Sequence, residues 1–351
     1  MYSFLRPLLF RLEPETAHQL TLQALRFAGN FPPSNWILTQ VCNAPSKPVR
    51  AFGLTFRNRI GLAAGYDKDA LAIKGLAALG FGHLEIGTVK PKPQPGNPRP
   101  RVFRLLEDEA VINRMGFPGR GAEFVSRRLL RLGLDTAKYT PTRPAARNDV
   151  IVGVNLGKNK DTPLEEAAQD YTALMRVFTP LAGYLTINIS SPNTVGLRRL
   201  QGREMLEQLL GAIQKERETI SLGRGANSPI LIKISPDLND EELDDAIGVI
   251  LDSGMDGIVA TNTTLAREGL GSRRQGESGG LSGSPLRARS EAVLRQIVKR
   301  VNGRVPVISV GGIMNPDDAK RRLDMGATLI QLYTGLVYQG PGLVKRILGA
   351  V

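Results

Sequence analysis

The 351 residues include one cysteine, two histidines and one tryptophan, and aromatic residues make up only 5%. The lone Cys42 excludes an internal disulfide, and it excludes a zinc knuckle or iron–sulfur cluster held by this chain alone. His18 and His83 are too few for a histidine-built metal centre, so no metal site is expected, and they leave only two candidates for a Ser–His pair. No apolar run reaches the roughly 18 residues that a membrane-crossing helix needs. Scarce aromatics also weaken the meaning of the positive balance. Lys+Arg number 46 against 33 Asp+Glu, a net +13, which suits nucleic acid or an anionic surface. The cations are nevertheless scattered (Arg127, Arg128 and Arg131; Arg198, Arg199 and Arg203; Lys320, Arg321 and Arg322) and are not interleaved with stacking rings. Solvated helix faces and attraction to anionic surfaces are therefore expected, and nucleic acid is not.

The first forty residues read as a separate region. Leu5, Leu8, Leu9 and Leu12 fall at helical spacing. After Pro14, a second stripe runs through Ala17, Leu20, Ala24, Phe27 and Ala28. Phe31-Pro32-Pro33 is expected to end this helical pair, and Ala44 to Pro48 to link it to the body. Arg6, Arg11 and Glu13 interrupt any signal-peptide apolar core. The pair is either a cap on the core or an interfacial membrane anchor. The expected division is residues 1–40 for this region and 41–351 for the catalytic body.

From residue 58 onward, apolar strands alternate with amphipathic stretches. Eight strands are expected: Ile60–Ala64, His83–Gly87, Val150–Val154, Tyr184–Ile189, Ile230–Ile234, Gly257–Ala260, Val305–Val310 and Thr328–Leu332. Eight β–α units argue for an α/β fold, a (β/α)₈ TIM barrel with a small amphipathic N-terminal helical extension. A doubly wound sheet is the alternative. Arg101–Leu105 and Ala110–Asn113 read as an inserted hairpin.

In such a barrel the chemistry gathers at the C-terminal strand ends. Those ends carry Ala63-Ala64-Gly65 with Lys68, Thr88, Asn155, Asn188 to Asn193, Lys233, Thr261-Asn262-Thr263, Gly311-Gly312 and Tyr333-Thr334-Gly335. The last two loops suit a phosphate, because their backbone N–H groups are open to close approach and helix starts follow; ordinary turn glycines remain an alternative. Gly153 to Asn159 lacks P-loop spacing, and no well-placed G-x-G-x-x-G occurs. A cofactor smaller than NAD, such as FMN, fits better. In Asn188-Ile-Ser-Ser-Pro-Asn-Thr194, amides and hydroxyls crowd one strand end. A serine there can take an acidified proton if Thr194 or a water relays it onward. A hydrogen-bonded turn is the plainer reading.

Several strings, in order from about residue 50, resemble the dihydroorotate dehydrogenase family, in its class 2, quinone-reducing branch. They are Gly61-Leu-Ala-Ala-Gly-Tyr-Asp-Lys68, Glu85-Ile-Gly-Thr88, Pro93-Gln-Pro-Gly-Asn97, Asn113-Arg-Met-Gly-Phe117, Asn155-Leu-Gly-Lys-Asn-Lys160, Asn188-Ile-Ser-Ser-Pro-Asn193, Ala260-Thr-Asn-Thr263, Gly279-Gly-Leu-Ser-Gly283 and Val310-Gly-Gly312. The amphipathic N-terminus is also similar. The resemblance implies oxidation of dihydroorotate to orotate, hydride transfer to FMN, and quinone as final acceptor, in pyrimidine biosynthesis.

The same resemblance implies Ser191 as catalytic base. It implies Lys68, Asn113, Arg114, Met115, Gly116, Phe117, Asn188, Asn193, Asn262 and Thr263 at the substrate. For FMN it implies Ala63, Ala64, Gly65, Tyr66, Asp67, Thr88, Asn155, Asn188, Lys233, Thr261, Gly283, Gly312, Tyr333 and Thr334. Tyr66 and Thr334 depart from the family's usual leucine and serine. His18 and Arg101 match positions near the quinone tunnel, and His83 is assigned to structure. A monomer in peripheral contact with the bilayer, on the cytoplasmic face of the cell membrane, is the expected form. On the residues alone, a Schiff-base aldolase using Lys233 is the competing enzyme class.

Overall fold

The computed structural model describes residues 2–42, 46–134, 150–224 and 227–351. Three helices come first: α1 (Tyr2–Arg11), α2 (Pro14–Asn30) and α3 (Pro32–Val41). Glu13 caps α2 by accepting from the Thr16 N–H at 2.8 Å. The third helix corrects the expected pair. Pro32 and Pro33 occupy its first turn, where a missing N–H costs nothing, so the prolines close one helix and open the next. Of the expected linker, Ala44 and Pro45 lie outside the described residues.

A short hairpin, β1 (Val49–Ala51) with β2 (Leu54–Phe56), precedes the barrel. Ala51, Leu54 and Phe56 pack with Ile151, Leu231, Val259, Ile308 and Leu329, residues of the barrel strands, and seal the interior there.

The chain then runs β3 (Ile60–Leu62), α4 (Ile73–Ala78), β4 (His83–Val89), β5 (Val102–Leu105), β6 (Ala110–Asn113), α5 (Gly121–Arg131), β7 (Ile151–Leu156), α6 (Ala167–Phe178) and β8 (Tyr184–Asn188). It continues through α7 (Arg203–Arg224), β9 (Ile230–Ile234), α8 (Asp240–Asp252), β10 (Gly257–Ala260), β11 (Gly280–Gly283), α9 (Arg287–Val301), β12 (Val307–Val310), α10 (Pro316–Asp324), β13 (Leu329–Leu332), α11 (Thr334–Gln339) and α12 (Gly342–Ala350).

Eight parallel strands close a barrel in the order β3-β4-β7-β8-β9-β10-β12-β13. They are buried on both faces, which is why they read as short apolar runs rather than as alternation. All eight coincide with expected strands, two of them to the residue and six with ends shifted by one or two residues. The expected hairpin forms as β5 and β6. β11 adds to it antiparallel, pairing Gly280 with Asn113 and Gly283 with Ala110. This small sheet is tied to the barrel by Tyr338, whose hydroxyl donates to the Ala110 carbonyl at 2.8 Å.

The N-terminal helices dock through a buried ion pair. Glu15 Oε1 lies 2.7 Å from Arg101 Nη2, with both side chains under 10% exposed. Phe4, Leu8, Phe27, Trp36 and Ile37 on the same helices remain exposed.

Candidate active site

One cavity gathers most of the expected residues. Ala63, Ala64, Gly65 and Lys68 come from the end of β3, Thr88 from β4, Asn188, Ser191 and Asn193 from β8 and the turn after it, and Lys233 from β9. Thr261, Asn262 and Thr263 follow β10, Gly312 follows β12, and Tyr333 and Thr334 follow β13. The small sheet and the turn after it contribute Asn113, Met115, Gly116, Phe117 and Gly283. The active-site end is therefore the C-terminal end of the barrel.

The polar groups are already tied to one another. Asn193 Nδ2 donates to Asn113 Oδ1 at 3.2 Å. Asn262 Nδ2 donates to Ser190 Oγ at 2.9 Å, and Ser190 Oγ donates to Asn188 Oδ1 at 3.1 Å. Asn188 Nδ2 reaches Asn155 Oδ1 at 3.0 Å and Thr88 Oγ1 at 3.1 Å. Such a network presets amide orientation before a ligand arrives. Ser191 is 4% exposed, and its Oγ accepts from the Asn193 N–H at 3.2 Å.

Two lysines supply positive charge. Lys68 Nζ donates to the Gly65 carbonyl at 2.7 Å, and burial lowers its pKa. Lys233 is 5% exposed, lines the cavity and donates to no described residue. Burial lowers its pKa too, opposed by the charge of Glu85. An ammonium in the wall of a cavity, with no hydrogen-bond acceptor among the described residues, is open to a negative group placed there. The Gln331 carbonyl oxygen, also in the cavity wall, is a buried polar atom without a partner. The glycines are required by space: a Cβ on Gly312, at φ +71°, would meet Arg287 Cα at 2.5 Å. One on Gly283 would meet the Glu109 carbonyl oxygen at 2.3 Å.

Four expected residues sit elsewhere. Arg114 points away and pairs with Glu277 at 2.7 Å, because its neighbours Asn113 and Met115 take the cavity side. Asp67 turns its carboxylate to the Leu71 and Ala72 N–H groups at 2.7 and 2.8 Å. Asn155 lies one layer deeper, behind Thr88 and Asn188. Tyr66 faces a different cavity. Sequence reasoning missed Gln331 and Ser282, which line the site. Gln331 lies two residues before Tyr333, the strand spacing that returns a side chain to one face.

That second cavity adjoins the first, sharing Lys68, Asn113, Met115, Ser282 and Tyr333. Its other walls include Leu9, Phe10, Ala17, His18 and Leu25 from α1 and α2, with Tyr66, Val102, Val111 and Val337. His18 meets Tyr66 edge-on, ring centroids 4.9 Å apart. Burial, reinforced by Lys68, holds its pKa down to about 4, so the imidazole is neutral at pH 7. Arg101 is absent from this wall and serves instead as the partner of Glu15.

The family described as dihydroorotate dehydrogenase matches residues 48–351. The chain is 46% identical to a dihydroorotate dehydrogenase (quinone) from Azotobacter vinelandii, over 100% of this chain and 96% of the relative. A dihydroorotate dehydrogenase (quinone) from Halorhodospira halophila is also 46% identical, over 100% and 97%. The crystal structure of DHODH from Eimeria tenella in complex with ferulenol superposes with TM-score 0.83 at 38% identity, covering 96% of this chain and 90% of that one.

Proposed function

Because this chain belongs to the dihydroorotate dehydrogenase family, in its quinone-dependent class, and oxidises dihydroorotate in pyrimidine biosynthesis, we propose that the flavin its family uses is FMN, held in the larger polar cavity. The observation that carries this reading is the convergence of Ser191, Lys68, Lys233 and the linked asparagines in one cavity at the strand ends. The residues fit the cofactor. Gly312 and Thr334 suit its phosphate, Thr88, Asn188 and Thr261 its polar ring edge, and the unpaired Lys233 the negative charge that the ring gains on reduction. FMN, when bound, supplies the hydride acceptor.

The chain's own residues do the rest. Lys68 neutralises the substrate carboxylate. Asn113, Asn188, Asn193 and Asn262 match the ring amides with donors and acceptors. Ser191 Oγ takes the C5 proton as hydride leaves C6, and its own hydroxyl proton passes to Thr194 or a water. Its burial and its bond from the Asn193 N–H hold that oxygen in one place.

The apolar cavity beside the site is proposed as the quinone site, with neutral His18 and Tyr66 in its wall. Residues 1–40 would form the lipid-facing region and the remainder the catalytic body. Among the described residues, ten of the fifteen exposed large apolar side chains lie between Phe4 and Val41, as an interfacial anchor requires. Among the described residues, no helix is long and apolar enough to cross a membrane. The family assignment leaves the aldolase alternative for Lys233 without support.

Heat-released cofactor identifies the flavin. FMN at one equivalent per chain is expected, and FAD or no flavin refutes this site. Borohydride added with substrate should leave Lys233 unmodified.

A further inference from the structure

Beneath the cofactor-facing layer lies a carboxylate to which nothing above gives a role. Glu85, on β4, is 1% exposed inside the barrel. Its Oε1 accepts from Asn155 Nδ2 at 2.8 Å. Its Oε2 accepts from Gln331 Nε2 at 2.8 Å and from the Tyr184 hydroxyl at 3.3 Å. No Lys or Arg of the described residues forms an ion pair with it in contact. The space is built for this layer: a Cβ on Gly153 would meet Tyr184 Cζ at 2.1 Å.

An ionised carboxylate only accepts. Three donors therefore converge on it, and each amide that points its NH₂ down must point its carbonyl elsewhere. Asn155 turns Oδ1 up, where it accepts from Thr88 Oγ1 at 2.6 Å and from Asn188 Nδ2 at 3.0 Å. Asn188 is thereby left with Oδ1 free to receive Ser190 and Asn262. The polarity of the whole floor thus propagates from one carboxylate. The charge of Glu85 also opposes the lowering of the Lys233 pKa that burial causes. Tyr184, the other titratable group of the layer, is kept protonated by burial and by Glu85 itself.

We propose that Glu85 is a positioning residue for the flavin half-reaction: its carboxylate fixes the orientation of the Asn155–Asn188 amide chain and supplies the buried negative charge of that layer. This rests on the reading that the cavity holds FMN. An amide at residue 85 would bring a donor against three donors. At least one of Asn155 and Gln331 must then flip or lose its bond. The charge balance changes too. With Glu85 ionised and Lys233 protonated the pair is neutral. Without Glu85, a protonated Lys233 leaves the site one unit more positive, which favours the reduced, more negative flavin. Once that lysine loses its proton, the excess disappears.

The test is the midpoint potential of the bound flavin against pH, in the parent holoenzyme, E85Q, E85D and Y184F. E85Q is expected to shift the two-electron reduction equilibrium at least tenfold toward reduced flavin at neutral pH, about 30 mV. The shift should fade as pH rises through the now unprotected Lys233. E85D keeps the charge and Y184F keeps charge and amide orientation, so both should stay near the parent. A structural role alone would lower melting temperature in all three variants without moving the potential. An unmoved E85Q potential, or an equal shift in E85D, overturns the proposal. If E85Q does not fold, infrared difference spectra of the parent on flavin reduction decide: an ionised carboxylate perturbed by reduction is expected, and a protonated carboxyl at Glu85 in the resting enzyme overturns it. A parent protein that yields no FMN refutes the cofactor reading instead, and this inference with it.

Discussion

Replacing Glu15 by alanine should separate the two halves of the reaction. The carboxylate binds Arg101 twice, through Nε at 3.0 Å and Nη2 at 2.7 Å, and Arg99 once at 3.0 Å. Arg99 is 60% exposed and contributes little. Arg101 is buried, and losing its partner strands a guanidinium. Such a loss costs about 3–5 kcal/mol. The Pro95 and Asn97 carbonyls still accept from Arg101 Nη1, both at 2.8 Å, so about 3 kcal/mol, the lower end, is expected. That cost falls on the docking of α2, which carries Ala17, His18, Thr21 and Leu25 of the apolar cavity wall. A double-mutant cycle with Arg101→Met, read by urea denaturation, measures the pair. Stopped-flow reduction by dihydroorotate and reoxidation by quinone measure the half-reactions. Reoxidation should slow while reduction stays close to the parent rate. A coupling within the range of about 0–1 kcal/mol typical of exposed pairs, or parallel loss of both half-reactions, refutes the reasoning.

Ser191→Ala should keep FMN and orotate binding but slow flavin reduction by about 10²-fold or more; unchanged single-turnover reduction would remove Ser191 from the base role. Deleting residues 1–40 should abolish liposome binding and impair reoxidation by membrane quinone while dihydroorotate still reduces the flavin, and survival of both in a liposome assay contradicts the anchor. Gly312→Ala should release FMN, measured by fluorescence of the freed flavin, since neither φ +71° nor the 2.5 Å approach to Arg287 accommodates a methyl. His83 is buried with both ring nitrogens unpartnered, and burial lowers its pKa from 6.5 to about 3. The unfolded chain then binds a proton that the folded one does not. Its contribution to stability is full above pH 6.5 and is lost as pH falls toward 3. Urea midpoints across that window should fall less steeply for His83→Phe than for the parent, and identical slopes would contradict the assignment.

The barrel was legible because each parallel strand is buried on both faces and has Gly, Asn, Thr or a Ser-Pro turn at or near the end that does chemistry. Ile230–Ile234 and Gly257–Ala260 could be read to the residue for that reason. What the sequence hid was pairing between distant segments. Gly280–Gly283 carries no strand periodicity, and it becomes β11 only because β6 offers an open edge. Val49–Phe56 is too short to announce a hairpin, yet it closes the barrel interior. Pro32 looked like a stop and is a start. Side-chain direction was the other gap: alternation sends Arg114 out between two inward neighbours, and Gln331 and Glu85 in.

The most direct test of the account is anaerobic mixing of the purified protein with dihydroorotate, followed at the visible absorption of its flavin. The account predicts a yellow protein that bleaches in a single turnover, releases orotate, and regains its colour when quinone is added. A colourless protein that cannot be reconstituted with FMN, or a flavin that dihydroorotate leaves oxidised, would contradict it.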